Sequence, residues 1–320
     1  MTWSEKQVLA FDDKLKLDTT RAGRVTAALT RFEQFCATDA ELKAAKSGDV
    51  FLQGSVATGT VIRPLDRDEF DVDAVYPFHL NAFPHGTSPT AILDWFIGRL
   101  SQSAFYRDKL IPRDRCARID YAGDFHVDII PATQTLDYHQ PYAVPAKDLG
   151  SWVTNDPLGF ANWVHDLDTR SGGIDAEGHG RFVRSCRMAK RWRDAMLSAS
   201  CAPSSILLVT MLGKHDPSHH NYNPPLEGPL YPKYQTDIAY LYDMLRLTHS
   251  CLQTSRRSAF IHPTIKSEDL GRGWDQPKIE LFLQRLSLCI ECLRQGIYAQ
   301  SETTSLEYYR KAFGDTFPAA

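Results

Sequence analysis

Two aspartates one residue apart, in FDVDAVYPF (70–78), are the first residues here whose spacing could do chemistry. Residues two apart in a strand share a face, about 7 Å apart at Cα, so Asp71 and Asp73 point together while Phe70, Val72 and Ala74 pack behind. Two ionised carboxylates on an apolar strand are costly unless a cation meets them. Hard oxygen ligands of this kind suit Mg²⁺ or Mn²⁺. Taken alone, a D-x-D pair also fits a solvent-facing sheet edge.

A third acid, Asp128, lies in the apolar run FHVDIIPA (125–132), with His126 on its face by the period of two. Asp120 in RIDYAG is a rival, although Tyr121 and Gly123 put it near a turn. Upstream, VFLQGS predicts a strand and a turn at Gly54-Ser55, followed by a short helix. Glycine lets backbone approach a ligand closely, N–H groups at a helix start favour an anion, and Ser55 adds a hydroxyl. Such a turn suits a triphosphate beside the metal acids; a ligand-free hairpin turn is the plainer alternative.

These residues need elements to carry them. Helices are expected over 3–16, 21–45 and 88–103, and strands over 50–54, 70–78, 117–122 and 125–132. From Pro157 onward the chain is predicted helical (158–169, 179–199, 204–215, 234–254, 277–296 and 303–313), interrupted by Pro/Gly-rich loops at 215–232 and 262–277. The expected class is α+β: a mixed sheet with flanking helices in 1–156, then a helical lobe in 157–320 ending in a tail, 314–320. A cleft between the halves is the expected site.

The 320 residues carry a formal charge of −3 and a pI near 6.4, which argues against general affinity for long nucleic acid or anionic membrane. The N-terminus has acids and lysines where a signal peptide needs an apolar run, and the longest apolar window, SSILLVTMLG, is too short for a bilayer. Seven scattered cysteines fit a reducing compartment, so a cytoplasmic location is expected. Cys289 and Cys292 are spaced like a metal knuckle, but sit on one face of an expected amphipathic helix with no second pair. The histidine-rich HDPSHH (215–220) falls in a loop, where an unliganded state is the expectation.

QGSVATGTVIRP followed by EFDVDAV resembles the bacterial CD-NTases, relatives of cyclic GMP–AMP synthase in the polymerase β-like nucleotidyltransferase superfamily. That resemblance implies a nucleotidyltransferase core with a long N-terminal helix, a C-terminal helical bundle, and two divalent ions, Mg²⁺ or Mn²⁺. It implies that Asp71 and Asp73 bridge the metals, that Asp128 completes the site, and that Gln53, Gly54 and Ser55 hold the donor triphosphate. RFVRSCRMAKRWRD (181–194) resembles the family's basic helix, with Lys190 as its phosphate-contacting lysine and Ser204 (or Ser205) as the partnering serine. Ser204 can equally be an N-cap after Pro203. Arg184, Arg187, Lys190, Arg191 and Arg193 are too many cations for one face, so some are expected in solvent.

The implied activity joins ribonucleoside triphosphates into a cyclic di- or trinucleotide messenger in antiphage (CBASS) signalling. ATP is the expected substrate, with GTP or UTP as the second base. In such systems a ubiquitin-ligase-like partner joins the C-terminal residue, here Ala320, to targets; an ordinary frayed terminus is the alternative. A linear-product nucleotidyltransferase and a non-catalytic nucleotide-binding regulator are the competing functions.

Overall fold

The computed structural model describes residues 3–64, 69–121, 123, 125–134, 141–218, 234–254 and 256–318. In chain order the elements are α1 (Trp3–Leu15), α2 (Thr19–Thr38), α3 (Ala40–Ala45), β1 (Phe51–Gln53), the single turn α4 (Gly54–Ala57), β2 (Phe70–Phe78) and α5 (Pro89–Ser101). There follow β3 (Leu110–Pro112), β4 (Ala117–Tyr121), β5 (Phe125–Gln134), β6 (Tyr142–Ala146), β7 (Ser151–Asn155) and α6 (Pro157–Ser171). The rest is helical: α7 (Arg181–Met196), α8 (Ser205–Lys214), α9 (Asp237–Thr254), α10 (Arg256–Phe260), α11 (Gln276–Tyr298) and α12 (Glu302–Phe313).

The chain forms two compact units. One, the sheet unit, contains 17–57 and 64–161; the other, the helical unit, contains 58–63 and 162–318 together with the N-terminal helix through Lys16. The switch to helix near Pro157 is therefore visible in the sequence, but two earlier segments pack with the helical unit.

In the sheet unit the strand order is β1-β2-β5-β4-β3, with β6 paired to β5 and β7 to β6. Among the described strands, β2 and β5 alone run parallel; the other pairings are antiparallel. One face of β2 buries Val72, Ala74, Tyr76 and Phe78, and α2 and α5 contribute Phe32, Cys36, Ile92, Leu93 and Phe96 to the core. Phe32 meets Tyr76, Phe96 and Tyr106 edge-on at 6.3, 6.5 and 6.3 Å between centroids. β2 alternates at its start, where Asp71 is exposed between buried Phe70 and Val72, and is fully buried from Ala74 onward.

The expected helix over 21–45 breaks at Asp39. Its carboxylate accepts the Glu41 and Leu42 N–H groups at 3.1 and 2.9 Å, starting α3, and Arg99 holds it from α5 at 2.5 Å. Strands β3, β6 and β7 were not foreseen. They are three to five residues long, and β6 carries Pro145, which usually argues against a strand.

In the helical unit, Trp192 of α7 packs edge-on against Phe282 of α11 at 5.5 Å, and Trp274 against the same ring at 5.2 Å. Phe11 of α1 rests on Phe313 and Phe317 at 5.2 and 4.9 Å. Cys289 is buried and Cys292 half-buried on α11, both as free thiols. No described helix is long and apolar enough to cross a membrane.

Candidate active site

Strand register assembles the acids. Asp73 of β2 stands beside Asp128 of β5 in the parallel pair, and Gln53 of β1 is the antiparallel partner of Asp73 on its other side. Asp71 is likewise paired with His126, and β4 adds Arg118 opposite Asp128 and Asp120 opposite His126. By the period of two, all these side chains project from one face of the sheet. Asp120 thus lies one cross-strand pair away from Asp128, next to His126.

Arg118 is the cation among them. Its Nε and Nη2 donate to the two Asp128 oxygens at 2.7 and 2.8 Å, and Nη2 also donates to Asp71 Oδ1 at 3.0 Å. Asp71 is 60% exposed and Asp128 only 14%. Asp73 fares worst: burial first, then the negative charges of Asp128 and Asp71, push its carboxyl up to about 7 against an opposing pull from Arg118. A carboxyl held near neutrality beside two others marks a place where positive charge is wanted, and the oxygen-only donor set of Asp71, Asp73 and Asp128 fits Mg²⁺ or Mn²⁺.

The Gly54 turn adjoins these acids. Its φ is +65°, and a Cβ added there would stand 2.6 Å from Asp73 Oδ2. Only glycine meets both demands. Gln53 just before it accepts a hydrogen bond from Asn155 Nδ2 at 3.0 Å, and Ser55 lies in the first turn of α4. A second cluster continues the face: His126 Nε2 meets Glu69 Oε2 at 2.7 Å, and its Nδ1 lies 3.7 Å from Asp120 Oδ1. Glu69 also accepts the Gly123 N–H at 2.8 Å.

Lys190 and Ser204 belong to the helical unit. Lys190 is fully buried, its Nζ donating to Thr60 O and Oγ1 at 2.8 and 3.0 Å, and burial pushes its ammonium down to about 7. Ser204 caps α8, accepting the Leu207 N–H at 3.4 Å, while Ser205 accepts from Arg193 Nη1 at 3.1 Å. The expectation that some α7 cations lie in solvent is corrected here. Arg184, Arg187, Lys190 and Arg191 are all buried, and Arg193 is largely covered. Each has an acceptor: Asp237 for Arg184, Asp12 for Arg187, and backbone carbonyls of 59–63 for Arg187, Lys190 and Arg191. The G-T-x-I-x-P run is therefore gripped through its carbonyls, and Gly59, at φ +67°, lies where a Cβ would stand 2.5 Å from the His179 ring. Ala320 and positions 219–220 of HDPSHH lie outside the described residues.

Sequence reasoning passed over Arg118, Glu69 and Asn155. For the first two a signal existed: Arg118 is two before Asp120, and Glu69 two before Asp71, so each shares a face with an acid already singled out. Asn155 lies in β7, where no strand was expected.

Comparison with known proteins gives the same family throughout. The Second Messenger Oligonucleotide or Dinucleotide Synthetase (SMODS) domain model matches residues 1–168. A c-di-GMP synthase from Roseivirga ehrenbergii is 24% identical over 296 residues, 87% of this chain and 75% of that protein. The Escherichia coli MS115-1 CdnC structure with ATP superposes with a TM-score of 0.71 at 16% identity, covering 98% of this chain and 99% of that one. The Bradyrhizobium diazoefficiens CD-NTase CdnG in complex with GTP gives 0.69 at 16% identity, covering 98% and 96%. Family model and relative together support cyclic dinucleotide synthesis. The domain model covers more than half of the chain, and the solved structures share its fold: the chain belongs to the SMODS family of bacterial CD-NTases and is a nucleotidyltransferase.

Proposed function

We propose that this enzyme joins ribonucleoside triphosphates into a cyclic dinucleotide or trinucleotide, releasing pyrophosphate, as a cytoplasmic second messenger of antiphage (CBASS) defence. The observation that carries the reading is the convergence of Asp71, Asp73 and Asp128 on one sheet face beside the Gly54 turn. When bound, two divalent ions, Mg²⁺ or Mn²⁺, would activate the attacking hydroxyl and neutralise the leaving oxygens. Asp71 and Asp73 would hold both ions, with Asp128 as the further ligand. Gln53, Gly54 and Ser55 would position the donor triphosphate, with backbone N–H groups at the start of α4 and the Ser55 hydroxyl as donors. By the same family resemblance, Lys190 and Ser204 would add further phosphate contacts. ATP is the first candidate substrate; GTP is the second, since relatives are described with GTP or as making c-di-GMP, and UTP follows. Joining of Ala320 to a target by a ubiquitin-ligase-like partner belongs to the same reading and predicts an increased intact mass on co-expression with that partner.

The test is incubation of the pure protein with all four ribonucleoside triphosphates and Mg²⁺ or Mn²⁺, with products resolved by mass spectrometry. Phosphatase-resistant product that depends on Asp71 and Asp73 is expected. Phosphatase-sensitive product would favour linear transfer, and nucleotide-induced thermal stabilisation without turnover would favour a regulator. A double Asp71→Asn, Asp73→Asn variant as active as the wild type would overturn the assignment of the acids.

A further inference from the structure

Arg118 occupies the charge position the acids reserve for a cation. Its guanidinium engages three carboxylate oxygens, both of Asp128 and one of Asp71, at 2.7–3.0 Å. These are oxygens that the proposed ions require. The clamp is planar and paired to Asp128 through two parallel hydrogen bonds, the strongest geometry an arginine–carboxylate pair attains. It is also held by the sheet, since Arg118 and Asp128 are direct cross-strand partners. A group fixed in this way cannot serve Asp71 and Asp128 as donor while both carboxylates give the same lone pairs to a divalent ion.

We propose that Arg118 is a built-in competitor for the metal. In the metal-free protein it holds Asp71 and Asp128 in place against their mutual repulsion, and a divalent ion binds by exchanging with the guanidinium. Bare-ion affinity is thereby kept low. Arg118 is a positioning residue in this scheme, acting on the reaction only through the two aspartates. The inference rests on the metal-ligand reading of Asp71, Asp73 and Asp128, and deepens it.

The measurement is Mn²⁺ binding to the whole chain, without nucleotide, followed by electron paramagnetic resonance of free Mn²⁺. Arg118→Gln should bind Mn²⁺ about tenfold tighter than wild type, whereas Arg118→Lys, which keeps the charge but loses the bidentate clamp, should fall between the two. Equal or weaker binding by Arg118→Gln, with wild type binding normally, overturns the competition and leaves the metal site standing. Wild type and Arg118→Gln binding no better than the Asp71→Asn, Asp73→Asn variant removes the metal site itself, and the competition with it. A readout on the unmutated protein covers the case where Arg118→Gln does not fold. The Arg118 Nε–H, bonded to Asp128, should lose its solvent protection in ¹H–¹⁵N spectra as Mg²⁺ is added. An Nε–H unchanged at saturating Mg²⁺ overturns the exchange.

Discussion

Asp73→Asn should stabilise the metal-free protein, and more so at alkaline pH. The carboxyl sits at about 7 in the folded chain against an ordinary value of 3.8. Between those values the folded state binds the proton more tightly than the unfolded one. Its full stability is therefore present below about pH 4, declines as pH rises through the window, and is lowest above about 7. Linkage gives a cost of about 2 kcal/mol at pH 5 and about 4 kcal/mol at pH 8. The amide cannot ionise and so escapes this cost at both. Any packing or hydrogen-bond penalty of the amide is independent of pH, so it cancels when the two values are subtracted. The assay is urea unfolding of both proteins at pH 5 and pH 8 in the presence of a chelator, with the variant expected to gain roughly 2–3 kcal/mol more at pH 8. An equal gain at the two pH values, or a larger one at pH 5, would refute the account of Asp73 as a buried, repelled carboxylate.

Three further outcomes follow from the packing. Gly54→Ala meets both an unfavourable φ of +65° and the Asp73 carboxylate; it should cost about 1–3 kcal/mol in urea unfolding and reduce nucleotide turnover at least a hundredfold. Asp12→Ala strips a bidentate partner from buried Arg187 and should cost about 3–5 kcal/mol by thermal unfolding, with Asp12→Leu plus Arg187→Met recovering much of it. Asp39→Ala removes the cap of α3 and the acceptor of Arg99, for a loss of about 1–2 kcal/mol measured in the same way.

Much of the site lay open in the sequence because strand periodicity is strict. The alternation of Phe70, Asp71, Val72 and Asp73 fixes which residues share a face, and the apolar run around Asp128 fixes a second strand. Which strand lies beside which is a long-range fact, and the neighbours that only pairing reveals were missed. Arg118 could be placed on a face but not assigned to Asp128 until β4 and β5 were known to be partners. The basic helix α7 misled for a related reason. Five cations in the ten residues 184–193 imply solvent only when their acceptors are local, and here these include Asp12, Asp237 and the carbonyls of 59–63, far away in sequence. Asp39 shows the opposite limit: a break made by one side chain inside an otherwise unbroken helical period.

The sheet face also behaves as a ruler. Along β2, Asp71 and Asp73 are set by the two-residue repeat, about 7 Å; across to β5, Asp73 and Asp128 are set by the strand spacing, about 4.8 Å. The carboxylates thus occupy points of a lattice whose dimensions belong to the backbone rather than to any side chain, and the shorter interval is near the roughly 4 Å that separates the ions of two-metal sites. A one-residue slip of β2 against β5 would turn the lattice over, sending the acids into the core and Val72 and Ala74 out. The burial of Val72, Ala74 and Tyr76 on the opposite face, with Tyr76 against Phe32 of α2 and Phe96 of α5, is accordingly what calibrates the distance between charges on the acidic face.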